Sequence, residues 1–165
     1  MAALAPGTVA PDFSLPAADG KSFSLQHALE RGPVLLAFFK ISCPTCQYAF
    51  PFIERLYKAY GQGTVSIVGV SQNSRKDTAL FLKEYGITLP ILLDELDRYP
   101  VSNAYGLTNV PTLFWISQNG EIDTTSVGWD RGDFEKLNSK AAAAGAISLQ
   151  PLFHPGEQVA AFRAG

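Results

Sequence analysis

Sulfur and imidazole are scarce in this chain of 165 residues: it has two cysteines, one methionine and two histidines. The histidines, His27 and His154, are isolated from each other and from any second cysteine pair, so the set of four closely spaced ligands that a structural zinc site needs is missing, and no metal is expected. Neither sign of charge dominates. Thirteen basic and fifteen acidic residues leave a net charge of −2, which provides no basic footprint for nucleic acid and no polybasic patch for anionic lipid. No apolar run approaches the roughly 20 residues that span a bilayer, so membrane insertion is not expected. Met1 to Pro16 lacks the basic-then-apolar pattern of a secretory leader, which sets the expectation of a cytoplasmic protein; a leader already removed would make it periplasmic. Internal repeats are absent as well. The prominent aromatics, Phe38, Phe39, Phe50, Phe52, Phe81, Phe114, Trp115 and Trp129, fall at strand or helix periodicity and form no flavin or haem signature. Core packing is their expected role and no cofactor is implied, although Trp115 or Tyr48 is expected to border a shallow apolar groove for a peptide.

The chain is 47% hydrophobic, enough at this length for one well-buried core. Its two cysteines stand together, as Cys43-Pro44-Thr45-Cys46, after the apolar run Val34-Leu35-Leu36-Ala37-Phe38-Phe39. From Cys46 onward, Ala49, Phe50, Ile53, Leu56, Tyr57 and Tyr60 recur at steps of three and four, so Cys46 is expected on the buried face of a helix. Pro44 suits the first helical position, where its missing N–H costs nothing, and this makes Cys43 the N-cap. There its sulfur meets free amides and the positive end of the helix dipole, a setting that favours the thiolate. Cys43 is the expected attacking sulfur and Cys46 the resolving one, the two forming a redox-active dithiol. A purely structural disulfide is the competing reading, but so short a loop removes little entropy from the unfolded chain.

A pass along the chain predicts alternating elements. Phe13 to Leu15 and Ser22 to Leu25 flank Asp19-Gly20 as a β-hairpin. Val34 to Phe39 reads as a strand covered on both faces, followed by a helix from Pro44 to about Tyr60 that Pro51 is expected to kink by removing the bond to the Gln47 carbonyl. Val65 to Val70 is a second buried strand, Ser74 to Tyr85 a helix closed by Gly86, Ile91 to Leu93 a short extended segment and Asp97 to Tyr105 a short helix. Thr112 to Ile116 and Ile122 to Val127 are strands joined through Asn119-Gly120, and a last helix runs from Arg131 to Ala144 between Asp130 and Gly145. The fold class is α/β: a central mixed sheet flanked by helices, with an N-terminal β-hairpin extension. One domain over residues 1–146 is expected, with a tail over 147–165 that either wraps the surface or is partly disordered.

The strand, the C-x-x-C, the kinked helix and the later Val110-Pro111-Thr112 before a strand resemble the thioredoxin superfamily. Gly7 to Leu25, GTVAPDFSLPAADGKSFSL, is similar to the N-terminal extension of its redoxin branch, which holds the TlpA/ResA-like thiol-disulfide oxidoreductases and the alkyl hydroperoxide reductase/thiol-specific antioxidant peroxiredoxins. The resemblance covers roughly Thr8 to Ala144. It implies a thioredoxin-like fold in which Pro111 is a cis-proline lying against the dithiol and the Val110 backbone offers hydrogen bonds to a bound peptide, so Pro44, Thr45, Val110, Pro111 and Thr112 would shape the substrate site. Three positions depart from the superfamily's patterns. Ala37 stands where thioredoxin has a buried Asp relay, Ser42 where a Trp often precedes the first cysteine, and Ala49 where TlpA/ResA-like proteins often carry a Glu. The group that takes the Cys46 proton is therefore not visible, and Lys40 reads either as a surface lysine or as a cation beside Cys43.

Two functions fit the resemblance. The first is a thiol-disulfide oxidoreductase working through a mixed disulfide. The second is a peroxiredoxin-like thiol peroxidase with antioxidant activity. The peroxiredoxin pattern places a Thr at position 43 and lacks Val-Pro-Thr, which favours the first. Expected partners are protein or small-molecule disulfides, or peroxides, and a thiol or dithiol electron donor, the chain acting in cell redox homeostasis as a monomer or weak dimer.

Overall fold

The computed structural model describes residues 2–165. Its centre is β3 (Val34–Phe39), six apolar residues with no exposed surface. Because side chains alternate along a strand, this run feeds two cores at once. Leu35, Ala37 and Phe39 point into one cluster, and Val34, Leu36 and Phe38 into the other.

The elements arrange themselves around that strand. β1 (Ser14–Pro16) and β2 (Ser22–Ser24) form the N-terminal antiparallel hairpin, and β2 runs straight into a five-residue helix, α1 (Leu25–Leu29), which the sequence reading did not anticipate. The Ser24 hydroxyl caps it by accepting from the His27 amide. After β3 come α2 (Pro44–Tyr60), β4 (Ser66–Ser71), α3 (Arg75–Tyr85), β5 (Ile91–Leu93), α4 (Pro100–Ala104), β6 (Thr112–Ile116) and β7 (Ile122–Val127). The sheet order is β5-β4-β3-β6-β7, with β4 parallel to β3 and β5, and β6 antiparallel to β3 and β7. It is the expected mixed sheet with the expected hairpin beside it. α4 is shorter than Asp97 to Tyr105 because Asp97 and Tyr99 both adopt positive φ, outside helical space.

Both sheet faces are covered. α2, α3 and α5 (Arg131–Ala144) bring Phe50, Phe81 and Phe134 onto one face; α1, α4 and the hairpin bring Leu25, Val101 and Leu15 onto the other. Each large side chain so buried contributes about 1.5–3 kcal/mol. All eight aromatics assigned to packing are buried, and this includes Trp115. The expectation that Trp115 borders a groove is therefore wrong: β6 lies between β3 and β7 with helices on both faces, and a residue there has no route to solvent.

The residues after α5 run back across the molecule. Leu152 is buried, Phe153 joins the Phe52 and Trp129 rings, and a short antiparallel pair forms between β8 (Trp129–Asp130) and β9 (Phe162–Arg163). Neither two-residue strand has a local sequence signal, since each exists only through a partner more than thirty residues away.

Candidate functional site

The site is built where β3 ends and α2 begins. Cys43 has extended backbone angles (φ −81°, ψ 116°), Pro44 opens the helix, and the Cys46 amide donates to the Cys43 sulfur at 3.1 Å. The sulfur thus serves as the N-cap acceptor, a role usually filled by oxygen. Cys43 is half-buried and Cys46 is fully buried, and both are free thiols. Burial pushes the Cys46 thiol far up from its ordinary range; the adjacent Cys43 sulfur adds to the rise, and the Lys40 backbone opposes it.

The loop ahead of Cys43 is tied on both sides. The Gln47 amide side chain donates to the Ile41 carbonyl (2.9 Å), and the Ile41 amide donates to the Asn73 side chain (3.0 Å) on the loop after β4. These bonds fix the turn that presents Cys43. Opposite stands the loop leading into β6. The Val110–Pro111 peptide bond is cis, and the Cys43 thiol faces the Val110 carbonyl at 3.3 Å. Thr112 is buried and its hydroxyl donates to the Asn109 carbonyl (2.8 Å), closing the loop on itself. Cys43, Cys46 and Val110 thus meet at one point, with Pro44 exposed at the edge and Thr112 bracing the loop from within.

Thr45, expected to shape the substrate site, and Tyr48, expected to border a groove, both have partners far along the chain. The Thr45 hydroxyl donates to the Ala164 carbonyl at 2.6 Å. Tyr48 is half-buried against Phe52 and Trp129, lies under the Arg163 guanidinium at 4.6 Å, and accepts the Ala160 amide on its hydroxyl. Sequence reasoning missed this involvement of residues 160–165, which carry no motif. Lys40 is exposed and lines a small cleft with Gln72, Leu107 and Val110. Among the described residues no cluster of His, Cys, Asp and Glu could hold a metal, and no helix is long and apolar enough to cross a membrane. The two larger surface clefts, one lined by Ala10, Leu25 and Gln118 and the other by Phe13, Leu93 and Val101, contain neither cysteine.

A dithiol at a helix N-terminus, one sulfur accessible and one buried, faced by a cis-proline loop on a mixed sheet, defines a redox-active thioredoxin-like protein. Residues 6–125 match the AhpC/TSA family. The thiol-disulfide oxidoreductase ResA of Geobacillus thermodenitrificans is 34% identical over 127 residues, spanning 76% of this chain and 71% of that one. Among solved structures, a thiol:disulfide interchange protein of the thioredoxin family from Chlorobium tepidum superposes with a TM-score of 0.69 at 26% identity, covering 85% of this chain and 99% of its own. StoA from Bacillus subtilis superposes with a TM-score of 0.65 at 25% identity, covering 78% and 95%. The chain belongs to the AhpC/TSA family, and within it to the thiol-disulfide oxidoreductases.

Proposed function

We propose that Cys43 attacks a substrate disulfide and Cys46 resolves the product, in a cycle that a single chain can carry. The observation that carries this assignment is the difference between the two sulfurs: Cys43 is accessible and accepts an amide hydrogen bond that an anionic sulfur would accept more strongly, while Cys46 is buried with its thiol held protonated. In the first step the Cys43 thiolate forms a bond to one substrate sulfur and the substrate S–S bond breaks, its other sulfur leaving as a thiolate. In the second, Cys46 gives up its proton and attacks the Cys43 sulfur, the mixed disulfide breaks, and the remaining substrate sulfur leaves as a thiolate that takes a proton. The substrate is reduced by two electrons, and the pair is left oxidised. An external thiol or dithiol donor returns it to the reduced form.

The order of the steps is supported by what raises the Cys46 thiol. Desolvation acts throughout, but the hydrogen bond and charge of Cys43 act only while that sulfur is free. Once Cys43 is in the mixed disulfide, those contributions fall away and Cys46 ionises more readily, at the moment its attack is needed. Neither position 37 nor position 49 supplies a carboxylate to take the Cys46 proton, since both are alanine.

Pro44 and the Val110–Pro111 peptide are proposed to line the approach to Cys43, with the buried Thr45 and Thr112 holding the two walls in shape and with protein or small-molecule disulfides as substrates. Where a thiol donor keeps the pair reduced the chain works as a reductase, and the equilibrium reduction potential of the Cys43/Cys46 pair measured against glutathione tests that direction. The test of the assignment is reduction of insulin and of oxidised glutathione by the wild type, Cys43→Ser and Cys46→Ser. Turnover lost in both variants, with free Cys43 still reacting stoichiometrically in Cys46→Ser, is the expected result. Turnover that survives in Cys43→Ser overturns it.

A further inference from the structure

The segment Ala160–Gly165 runs between the two walls of the dithiol site. On one wall Thr45, inside the C-x-x-C, donates to the Ala164 carbonyl at 2.6 Å. On the other, the Asn109 side chain donates to the Gly165 carbonyl at 3.3 Å, and Gly165 packs so closely that a Cβ placed on it would lie 2.6 Å from the Val110 carbonyl oxygen. That oxygen is the one facing the Cys43 thiol. An extended peptide using the Val110 backbone to present its disulfide to Cys43 would need the space that Ala164 and Gly165 fill. Cys43 itself remains half-exposed with the segment in place.

The attachment is graded along the chain. Up to Ala161 it is firm: the Arg55 guanidinium holds the Glu157 carboxylate with two bonds of 2.7 Å, the Trp129 indole donates to the Ala160 carbonyl (2.7 Å), and the Arg131 amide donates to the Ala161 carbonyl (3.0 Å). Beyond that point the two-residue β9, the Arg163 contact with Tyr48, the Thr45 and Asn109 bonds and close backbone packing on Gly128 and Val110 hold it, and Phe162 is 61% exposed. Phe162–Gly165 has no ion pair of the Arg55–Glu157 kind, so its attachment is the weaker of the two.

We propose that Phe162–Gly165 is a specificity strap, an internal occupant of the peptide position that admits small disulfides to Cys43 and makes protein disulfides wait for its release. This inference rests on the oxidoreductase cycle above. A tethered segment competes at high effective concentration, so a substrate that needs the groove sees only the open fraction of molecules, whereas a small disulfide that needs only the Cys43 sulfur reacts with all of them.

The experiment compares the full chain with a variant ending at Ala161, measuring second-order rate constants for insulin and for oxidised glutathione. An open fraction near a tenth predicts that the insulin rate constant rises about tenfold and the glutathione rate constant changes less than about twofold. Arg163→Ala in the full-length chain, which loses only the contact with Tyr48, is expected to raise the insulin rate constant by a smaller factor in the same direction, and it serves if the shortened chain does not fold. Equal changes for both substrates, or none for either, overturn the strap while leaving the cycle intact. A folded chain that reduces neither disulfide, with or without the segment, overturns the cycle and the strap's role with it.

Discussion

Two sulfurs only three residues apart sit in different chemical situations. Cys43 is within reach of solvent and Cys46 is sealed behind it, with its thiol raised by burial. In the reduced protein at pH 7, Cys43 is expected to alkylate at least about tenfold faster than Cys46, because only an accessible thiolate reacts; peptide mapping after a timed iodoacetamide pulse reads the ratio, and equal labelling would contradict the assignment. Much of this was legible in the sequence. Pro44 identified the first helical position, and the three-and-four spacing from Cys46 to Tyr60 placed Cys46 on the buried face. Contacts of Thr45 and Tyr48 were not legible, since their partners, Ala164 and Ala160, lie 119 and 112 residues away and neither carries a side-chain signal.

At the scale of elements, α2 presents the dithiol and must be held from its far side too. Glu54, on that helix, is buried to 5% exposure and its carboxylate accepts from the Thr88 and Leu89 amides (2.8 and 2.9 Å) and from the Thr88 hydroxyl. It thereby ties α2 to the segment between α3 and β5. Glu54→Ala would leave the buried Leu89 amide without a partner and is expected to cost about 1–3 kcal/mol of stability, readable as a lower denaturation midpoint in urea at unchanged m. A loss under about half a kcal/mol would show that the carboxylate is dispensable. In the sequence Glu54 looks like any polar residue between apolar helix positions, because the donors that bury it come from another element. The same reasoning separates the elements read correctly from those missed. β3, β6, β7 and α5 carry their own evidence in apolar runs, the Asn119-Gly120 turn and the Asp130 cap, whose carboxylate accepts the Asp133 amide. By contrast α1 is barely one turn long, and β8 and β9 exist only as each other's partner.

For the molecule as a whole, the returning residues and the thioredoxin-like body are joined by the Arg55–Glu157 pair, whose side chains are 27% and 24% exposed. The Arg55 guanidinium holds the Glu157 carboxyl at about 2, well below its ordinary 4.5, with the His154 backbone bond and charge acting in the same direction. A carboxyl whose folded-state pKa is depressed contributes fully above its unfolded value and loses that contribution as pH falls toward the folded one. The carboxylate that Arg55 grips is therefore expected to stay ionised from pH 5 to 8 and to be lost between about pH 4.5 and 2. The indole N–H resonance of Trp129, which donates to the Ala160 carbonyl, should hold its position over the first range and move over the second; movement between pH 5 and 8 would mean that another group governs the attachment. The central claim, attack by Cys43 and resolution by Cys46, is tested most directly by trapping. Cys46→Ser incubated with a protein disulfide should accumulate a stable mixed disulfide, mapped by mass spectrometry to Cys43, while Cys43→Ser forms none. An adduct on Cys46 in the Cys43→Ser protein, or rapid peroxide consumption that survives loss of Cys43 and requires Cys46, would contradict it, because a thiol that works without Cys43 cannot be using that sulfur as its nucleophile.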